Sequence, residues 1–447
     1  MTNGTRIMPE PMKVLVTGAD QHQGLAVVRG LGLAGYHVIA CGPHKLSLAF
    51  SSRYAAERFV YRSPFEDKPR FIRDVLGCLE KTRPRLVIPA VESTLVALNE
   101  ARQDVERYAP LAAPSPEILE YAIDKGRTLR LAERLNVPVP RTVEGETTRE
   151  LFEQARTLRF PVAIKPRGHR LHPSTASALD FKVRYAKTLD ELEVVLAPLQ
   201  PYAHRLLVQQ YVVGIGRCVS AVCRQGEPLV LFAYSRDRNV PLSGGVSVLR
   251  RSIALDPPLK RYVTALLREI RWHGVAMVEF KYDPRDARYT LMEINGRFQA
   301  STALSLDAGL NLPDMVARLF SGREIRTPEA YRLGVEERWL QGDLVALRDY
   351  LMGPPPAANG FSPGEMSPSK RSVLWRFIRD FRRGVKYDEF KWYDWKPGVV
   401  ECGALLRIAL VWTKQGIAWA MSQLARRVRI ISHRRLHGAG REPPRSA

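Results

Sequence analysis

Three side chains near the middle of the chain could together hold a divalent cation. Glu293 and Asn295 lie two residues apart in a short apolar run that predicts a β-strand. Because residues i and i+2 of a strand point to the same face, we expect these side chains to lie side by side, with Met292 and Ile294 facing the core. Glu279, in the preceding predicted strand, can bring a third oxygen to the same place. Carboxylate and amide oxygens suit Mg²⁺, so the pattern predicts a magnesium site shared with substrate phosphates.

Three basic side chains could hold those phosphates or another anion. Lys125 lies on a predicted helix, and Lys165 ends an apolar strand and is followed by Pro166. Both can act as point charges on phosphate oxygens, whereas the guanidinium of Arg297 is a rigid fork suited to one anionic oxygen. A lysine or glutamate of this kind, taken alone, is more often a solvated surface residue. Their joint presence favours the phosphate interpretation.

The elements that precede these residues predict an α/β unit. Short apolar runs predict strands and helical spacing predicts helices, which alternate along the first part of the chain. The predicted strands are Lys13–Thr17, Tyr36–Ala40 and Arg85–Pro89, and the predicted helices are Gln23–Ala34 and Phe71–Lys81. This alternation predicts a parallel sheet with crossover helices.

The turn after the first predicted strand contains Gly18 and Gly24, which could point backbone N–H groups at an anion. Their spacing differs from GxGxxG, and no acidic residue ends the second strand, where Ala40, Cys41 and Gly42 stand. These departures argue against an NAD-dependent oxidoreductase. Two interpretations of the turn stay open: a nucleotide-binding turn, and a structural turn or substrate-facing loop.

The middle region changes to an α+β pattern. A helical stretch, residues 116–136, is followed by several β-patterned runs with few helices between them, which predicts mostly antiparallel strands. These runs are 161–166, 181–185, 205–213, 217–223, 229–234, 276–282 and 289–294. The predicted magnesium ligands therefore belong to the last two strands of this region.

The last region, residues 331–447, is basic. It contains 21 Lys or Arg residues against 11 Asp or Glu, in a chain whose net charge is +22. Such a balance favours polyanions or anionic membrane surfaces as partners. The apolar window Ala404–Leu424 contains Arg407 and Lys414, and each charge at mid-bilayer costs about 2.5–3.5 kcal/mol, so we expect no spanning helix. An amphipathic helix on an anionic membrane and a helix packed on the main body both fit.

Composition excludes several classes of protein. With 447 residues, 45% hydrophobic and 26% charged, the chain is expected to form two or three folded domains rather than a disordered or polytopic membrane protein. Its five cysteines form no CxxC pair, so we expect no disulfide framework and a cytoplasmic location. Residues 1–12 contain no apolar segment, so no signal peptide is expected. No motif indicates a specific nucleic acid.

Several segments resemble the ATP-grasp superfamily. Leu291–Ser301, with the sequence LMEINGRFQAS, resembles the metal-binding strand of its carbamoyl-phosphate synthase and biotin carboxylase branch. Val162–Pro166 resembles the family's phosphate-binding lysine strand, and Leu207–Gly214 its adenine hinge. Asp124-Lys125, followed by Leu135–Pro140, resembles the entry to the ATP-grasp domain.

The resemblance extends from about Lys13 to Glu324. It implies a fold of α/β plus α+β class, with a Rossmann-like pre-ATP-grasp domain over residues 1–113 and an ATP-grasp domain over 114–330. A basic C-terminal extension over 331–447, made of a linker plus an amphipathic helix, would complete the chain.

The resemblance also implies residue roles. It assigns Lys165 and Arg297 to catalysis, with Arg297 stabilising an acyl phosphate. The implied ATP-binding residues are Lys125 and Lys165 for the phosphates and Gln209, Gln210, Tyr211 and Val212 for adenine, the last four through backbone groups. The implied ligands of Mg²⁺, or of Mn²⁺ in its place, are Glu279, Glu293 and Asn295.

Two hypotheses about function follow. The first is an ATP- and Mg²⁺-dependent ligase that activates a small-molecule carboxylate as an acyl phosphate and joins it to an amine. The second is a catalytically silent nucleotide-binding or scaffold protein that docks on an anionic membrane through its basic tail. It is favoured by the loop after Lys165, in which Gly168 is the single glycine between residues 167 and 177. The ligase is placed in the cytoplasm or peripherally at the inner face of the membrane. Its oligomeric state, a homodimer included, stays open.

Overall fold

The computed structural model describes residues 10–168, 183–240, 245–352, 369–403 and 405. Two compact units divide the chain, Met1–Pro397 and Gly398–Ala447. All the helices and strands given below lie in the first unit. The polar loop 169–182 and almost all of Ala404–Leu424, which carry two of the sequence predictions, lie outside the described residues.

A parallel sheet forms the first part of the chain and confirms the predicted α/β unit. Its elements, in chain order, are β1 (Lys13–Thr17), α1 (His22–Leu33), β2 (His37–Gly42), β3 (Ala55–Val60), α2 (Lys68–Thr82), β4 (Leu86–Pro89), α3 (Glu92–Glu100) and α4 (Arg102–Glu106). The strand order is β3-β2-β1-β4, with every pairing parallel. Helix α2 shows why the helices form: Phe71, Val75, Cys78 and Leu79 recur at helical spacing and are buried against the sheet.

Close packing explains both glycines of the first turn. Gly18 has φ +84°, and a Cβ there would lie 2.6 Å from a side-chain carbon of Val91. A Cβ at Gly24 would lie 2.0 Å from the carbonyl oxygen of Gly18. These contacts favour the structural-turn interpretation, because both positions need glycine without any nucleotide.

Four helices and a small antiparallel sheet come next. The elements are α5 (Pro116–Ile123), α6 (Lys125–Arg134), β5 (Thr142–Val143), α7 (Thr148–Ala155), β6 (Val162–Pro166), β7 (Arg184–Ala186), α8 (Leu189–Leu196) and β8 (Leu206–Gln210). The strand order is β5-β8-β6-β7. The predicted helical stretch 116–136 is divided at Asp124, whose side chain accepts hydrogen bonds from the amides of Gly126 and Arg127 and thereby begins α6.

A seven-stranded sheet dominates the rest of the first unit. Its strands and the helices between them are β9 (Ile215–Arg224), β10 (Glu227–Val240), β11 (Val246–Ser252), α9 (Pro257–Glu269), β12 (Gly274–Asp283), β13 (Arg288–Asn295), α10 (Thr302–Asp307), α11 (Leu312–Phe320), β14 (Glu336–Arg338), α12 (Leu340–Met352), α13 (Lys370–Arg379) and β15 (Lys386–Tyr387). The order is β13-β12-β9-β10-β11-β14-β15. All pairings except β14 with β15 are antiparallel, as the α+β pattern predicted.

One detail of the predicted alternation is wrong. Glu279 pairs with Glu293 and Phe280 pairs with Leu291, so Met292 is an extra residue at a β-bulge. Leu291 and Ile294 are therefore buried in the core, whereas Met292 is partly exposed. The bulge leaves the polar positions on β13 unchanged.

Part of the predicted basic extension packs within the first unit. Arg29 of α1 is buried and donates to the carboxylate of Asp394 at 2.8 Å. Strands β14 and β15 likewise extend the large sheet with residues beyond 330. Among the residues that the structure describes, no helix is long and apolar enough to cross a membrane. The boundaries at residues 113 and 330 stay predictions.

Candidate functional site

Strands β12 and β13 bring the three predicted metal ligands together. Glu279 and Glu293 are direct partners in the antiparallel register, which places their side chains on one face. Nδ2 of Asn295 donates to Oε1 of Glu293 at 2.9 Å. This bond directs the amide nitrogen of Asn295 to the carboxylate and leaves its Oδ1, a better metal ligand, for another partner. We call Lys125, Lys165, Glu279, Glu293 and Asn295 the lysine–carboxylate cluster.

Lys125 enters this cluster from the start of helix α6. Its Nζ lies 3.6 Å from Oε2 of Glu293, and its backbone N–H donates to the carbonyl of Arg167 at 2.9 Å. Arg167 in turn donates to Asp124, the cap of α6, at 2.9 Å. Burial acts to raise the pKa of Asp124, but its hydrogen bonds with Arg167 and the helix amides outweigh burial and lower it. The positive end of the helix dipole repels a cation in the first turn, so the position of Lys125 costs free energy. An anion bound at this helix end would offset that cost.

Lys165 reaches the same place from strand β6. Its Nζ donates to Oε1 of Gln209 at 2.7 Å, and Nε2 of Gln209 donates to the hydroxyl of Thr142 at 2.9 Å. Burial lowers the pKa of Lys165 to about 8, although the carboxylate of Glu293 opposes this shift. Lysines with pKa values lowered by burial are often found at binding and catalytic sites.

Glu279 is paired with an arginine that sequence reasoning did not connect with it. Arg236 of β10 donates from Nη1 to Oε1 of Glu279, and its Nε donates to Asn239 at 3.0 Å. Its aliphatic part lies over Gly216 of β9, where a Cβ would approach it to 3.0 Å. Burial raises the pKa of Glu279, and the Glu293 carboxylate acts in the same direction while Arg236 opposes it. Arg236 therefore balances the carboxylates of the cluster.

The predicted adenine hinge follows strand β8. The backbone N–H groups of Gln210 and Tyr211 already donate to the carbonyls of Arg141 and Pro161, at 2.8 and 3.0 Å. Adenine recognition by these two amides would break those bonds, so the other backbone groups of Gln209–Val212 are the better candidates. The side chain of Gln209 holds Lys165, which is a role that the sequence did not predict.

Arg297 lies beside the end of β13. It donates from Nη1 to the carbonyl of Phe298 at 3.2 Å and to Oε1 of Gln299 at 3.1 Å. Its Nε is buried, lies 3.6 Å from Oε2 of Glu92 and has no hydrogen-bond partner in the described parts of the chain. The α/β unit thus contributes Glu92, the first residue of α3, next to the predicted anion-binding arginine.

Four arginines flank the turn between β10 and β11, and the structure gives them different partners. Arg236 meets the lysine–carboxylate cluster, whereas the other three make ion pairs elsewhere. Arg238 pairs with Asp343 at 2.5 Å and Asp380 at 2.8 Å, Arg251 pairs with Asp237 at 2.9 Å, and Arg250 pairs with Glu337 at 3.2 Å and also with Asp388. These three are held by acidic partners of the chain itself.

Lys281 is a further residue that the sequence analysis missed. It lies two residues after Glu279 on β12, and its Nζ donates to the carbonyl of Gly214 at 3.0 Å. Its charge acts on both Lys165 and Glu279. The i, i+2 relation to Glu279 was a signal that could have found it.

Comparisons with known proteins give the same fold and family resemblance. The model of a family described as "ATP-grasp in the biosynthetic pathway with Ter operon" matches residues 203–342. A D-aspartate ligase of Enterococcus faecium is 25% identical over 283 residues, which cover 59% of this chain and 66% of the ligase. The carbamoyl phosphate synthase large chain of Archaeoglobus fulgidus is 24% identical over 348 residues, covering 74% of this chain and 30% of that protein. The chain thus spans about two thirds of the ligase and under one third of the synthase.

Among solved structures, the biotin carboxylase of Campylobacter jejuni superposes with a TM-score of 0.59 at 15% identity, covering 72% of this chain and 74% of that one. A likeness at this level of identity describes the fold. The family model and the curated relatives confirm the resemblance of this chain to the ATP-grasp superfamily and to carbamoyl-phosphate synthase, and the biotin carboxylase shows the same fold.

Proposed function

We propose that this chain is an ATP- and Mg²⁺-dependent ligase that activates a small-molecule carboxylate as an acyl phosphate and joins it to an amine. The observation that carries the proposal is the lysine–carboxylate cluster, in which two ammonium groups meet two carboxylates and an amide. The proposed organisation is a pre-ATP-grasp domain over residues 1–113, an ATP-grasp domain over 114–330 and a basic extension over 331–447.

The donor set fits a nucleotide-bound magnesium ion. Glu279, Glu293 and Oδ1 of Asn295 would hold Mg²⁺ through hard oxygens, and Mn²⁺ accepts the same ligands. Lys125 lies 3.6 Å from Glu293, so its ammonium and the cation would share that carboxylate. When bound, Mg²⁺ supplies charge neutralisation of the triphosphate oxygens.

The side chains of the cluster then bind and orient the reactants. Lys125 and Lys165 hold phosphate oxygens, and Gln209 fixes the direction of the Lys165 ammonium. In the first step an oxygen of the substrate carboxylate attacks the γ-phosphorus and ADP leaves; in the second the amine nitrogen attacks the carbonyl carbon, phosphate leaves and the amine loses a proton. Arg236 and Arg297 supply donors for the anionic oxygens that develop in both steps.

The proposed substrates are amino acids and related small molecules. The name of the D-aspartate ligase relative makes D-aspartate a first candidate among the carboxylates to be tested. The purified full-length chain should be screened for ADP formation with each carboxylate and a panel of amines, with Mg²⁺ or Mn²⁺. Amine-dependent ADP formation is expected for at least one pair.

The scaffold hypothesis is tested by nucleotide titration. A ligase of this kind should bind ATP in the presence of Mg²⁺ with a Kd of micromolar order, and binding should weaken when Mg²⁺ is removed. Absence of ATP affinity below the millimolar range, with or without Mg²⁺, would favour the catalytically silent alternative.

A second candidate activity, peripheral contact with an anionic membrane at the inner face, is favoured by helix α13. Trp375 and Ile378 are 64% and 52% exposed on this helix. The helix contains no acidic residue, and its cations are Lys370, Arg371, Arg376 and Arg379. Exposed apolar side chains flanked by cations suit the interface of an anionic bilayer.

Vesicle flotation tests this contact. Wild-type protein should float with vesicles containing about 30 mol% phosphatidylglycerol but not with phosphatidylcholine alone. The double substitution Trp375→Ala and Ile378→Ala should reduce flotation strongly, whereas Leu46→Ala, at a 79% exposed position in the α/β unit, should not. Equal flotation of all three proteins would remove the role of α13.

A further inference from the structure

A second cluster of potential metal ligands lies outside the lysine–carboxylate cluster. His22 begins helix α1, and Asp388 and Glu389 follow strand β15. One ligand atom of each of the three lies within 4.8 Å of the other two. Asp388 and Glu389 are 3% and 0% exposed, so these carboxylates lie in the interior of the first unit.

The spacing of the closest pair suits coordination to one ion. Nδ1 of His22 and Oε1 of Glu389 are 3.3 Å apart, and Nδ1 has no hydrogen-bond partner in the described residues. Two ligands that are each bound at about 2.0–2.1 Å with a tetrahedral angle between them lie about 3.4 Å apart. The two atoms are therefore already separated as two ligands of one tetrahedral ion would be.

A buried atom of Asp388 supplies a second, independent indication. Its Oδ2 accepts from Arg250, whereas its Oδ1 has no hydrogen-bond partner within the described ranges. The indole of Trp339 packs on His22 with ring centroids 4.9 Å apart, and its buried Nε1–H also lacks an acceptor there. Buried polar atoms without partners cost free energy, so the unpaired Oδ1 of Asp388 and Nδ1 of His22 in one ligand cluster indicate an absent occupant.

The side chains around this second cluster are charged and buried. The ion pairs around His22 involve three cations, Arg29, Arg250 and Lys391, and five carboxylates, Asp307, Glu337, Asp388, Glu389 and Asp394. All eight side chains are at most 13% exposed.

We propose that His22, Asp388 and Glu389 form a binding site for a divalent transition metal, with Zn²⁺ as the ion, separate from the nucleotide's magnesium site. An imidazole nitrogen with two carboxylate oxygens is a donor set that zinc accepts and that magnesium rarely uses. Three protein ligands leave a fourth position for a water molecule, whose oxygen would accept from Trp339.

Such a site would fix the chain after β15 to the first βα turn, more than 360 residues earlier. Arg29 already connects the same two segments, donating to the carbonyls of Glu389 and Asp394, each at 2.8 Å. The proposed role of the metal is therefore to complete this connection within the first unit.

The test is zinc binding by the full-length chain after removal of metals with a chelator. Wild type should retain about one zinc ion per chain after dialysis and gain several degrees in Tm on zinc addition. Glu389→Gln and Asp388→Asn should lower zinc affinity at least tenfold. Glu293→Gln, which alters the other cluster, and His37→Gln, which alters a partly exposed His–Glu pair of 2.8 Å, should leave it unchanged.

Cobalt substitution makes the test independent of how the variants fold. Wild-type protein loaded with Co²⁺ should show the visible ligand-field absorption of a four- or five-coordinate site, and zinc should displace it. A wild-type chain that takes up no zinc, or a zinc content equal in wild type and Glu389→Gln, would overturn the proposal. In that event the buried carboxylates hold protons instead.

Discussion

The seven-stranded sheet carries two groups of charged side chains that differ in exposure and in pairing. At the β12–β13 edge, Glu293 is 24% exposed and its ion pair with Lys125 is 3.6 Å long. Toward the β14–β15 edge, Arg250 and Glu337 are both 0% exposed and are joined to further ion pairs. We call Arg29, Arg250, Glu337, Asp388, Lys391 and Asp394 the buried ion-pair network.

The difference separates the Lys125–Glu293 pair, which can change partners when a ligand binds, from the Arg250–Glu337 pair, which connects segments of the fold. Long, partly exposed pairs can exchange their partner for a phosphate or a cation at little cost, and Lys165 with its lowered pKa belongs to that group. Fully buried pairs lose several kcal/mol when one member is removed, so they are suited to connecting segments. Four predictions test this division, from the largest expected effect to the smallest.

Glu293→Gln should abolish ligase turnover while leaving the fold intact. Loss of a metal-binding carboxylate should raise the barrier by about 4 kcal/mol, which lowers kcat about 10³-fold. ADP formation and Tm should both be measured, with Glu153→Gln at an exposed helical position as control. Turnover equal to that of wild type would show that Glu293 stabilises the fold and does not bind the metal.

Asp394→Asn should lower the stability of the fold and leave turnover intact. Asp394 accepts from Arg29, from the hydroxyl of Ser52 at 2.7 Å and from the amide of Arg53 at 2.9 Å. Removing its charge leaves a buried guanidinium uncompensated and should lower the free energy of unfolding by about 3–5 kcal/mol. Denaturant unfolding should show this loss, whereas kcat per folded molecule should stay within about twofold.

The matched control for that loss is Glu227→Gln. Glu227 forms an exposed pair with Arg268 at 2.7 Å, and breaking such a pair should cost at most about 1 kcal/mol. If the two substitutions destabilised the protein equally, burial would not distinguish the groups.

ATP affinity should depend on pH through Lys165. Its pKa of about 8 in the folded protein lies below the ordinary 10.5, so the ammonium is present below pH 8 and is lost as pH rises through 8. If ATP binds the protonated form, Kd should rise about tenfold per pH unit above 8. Lys165→Arg should bind more weakly but lose this dependence, because arginine stays charged. An unchanged pH profile in Lys165→Arg would assign the titration to another group.

Gly216→Ala should have the smallest effect. The added methyl group would lie 3.0 Å from Cβ and 3.1 Å from Cδ of Arg236, which shifts the guanidinium that balances Glu279. We expect kcat to fall about two- to fivefold and stability to change by less than about 1 kcal/mol. Gly77→Ala, where the methyl group meets no atom within 4 Å, should leave kcat unchanged. Equal kcat in both variants would show that turnover does not depend on the position of the Arg236 guanidinium.

The sequence predicted the strands and helices better than the pairing of strands and side chains between them. The strands and the i, i+2 relation of Glu293 and Asn295 were readable because strand and helix periods are local. The bulge at Met292 was not, because a bulge is defined by the pairing of two strands. The division of the helical stretch at Asp124 carried a signal, a capping residue, that was overlooked.

Long-range pairing accounts for most of the remaining misses. Arg236, Arg238, Arg250 and Arg251 lie close together in the sequence, yet their carboxylate partners lie between 14 and 142 residues away along the chain. Nothing local distinguishes the arginine that meets the cluster from those that stabilise the sheet. Arg29 pairs with Asp394, which lies 365 residues later in the chain. No local sequence pattern predicts a pairing of this length.

The partners of Arg29 and Arg250 have a consequence for how this protein is made. Asp394, Glu337 and Asp388 all follow residue 330, so a nascent polypeptide emerging from the ribosome holds both guanidinium groups before their counter-charges exist. The α/β unit and large sheet should then stay open until codon 394 has been translated. Pulse-chase proteolysis of stalled ribosomal complexes should show protection only in those stalled well beyond codon 394.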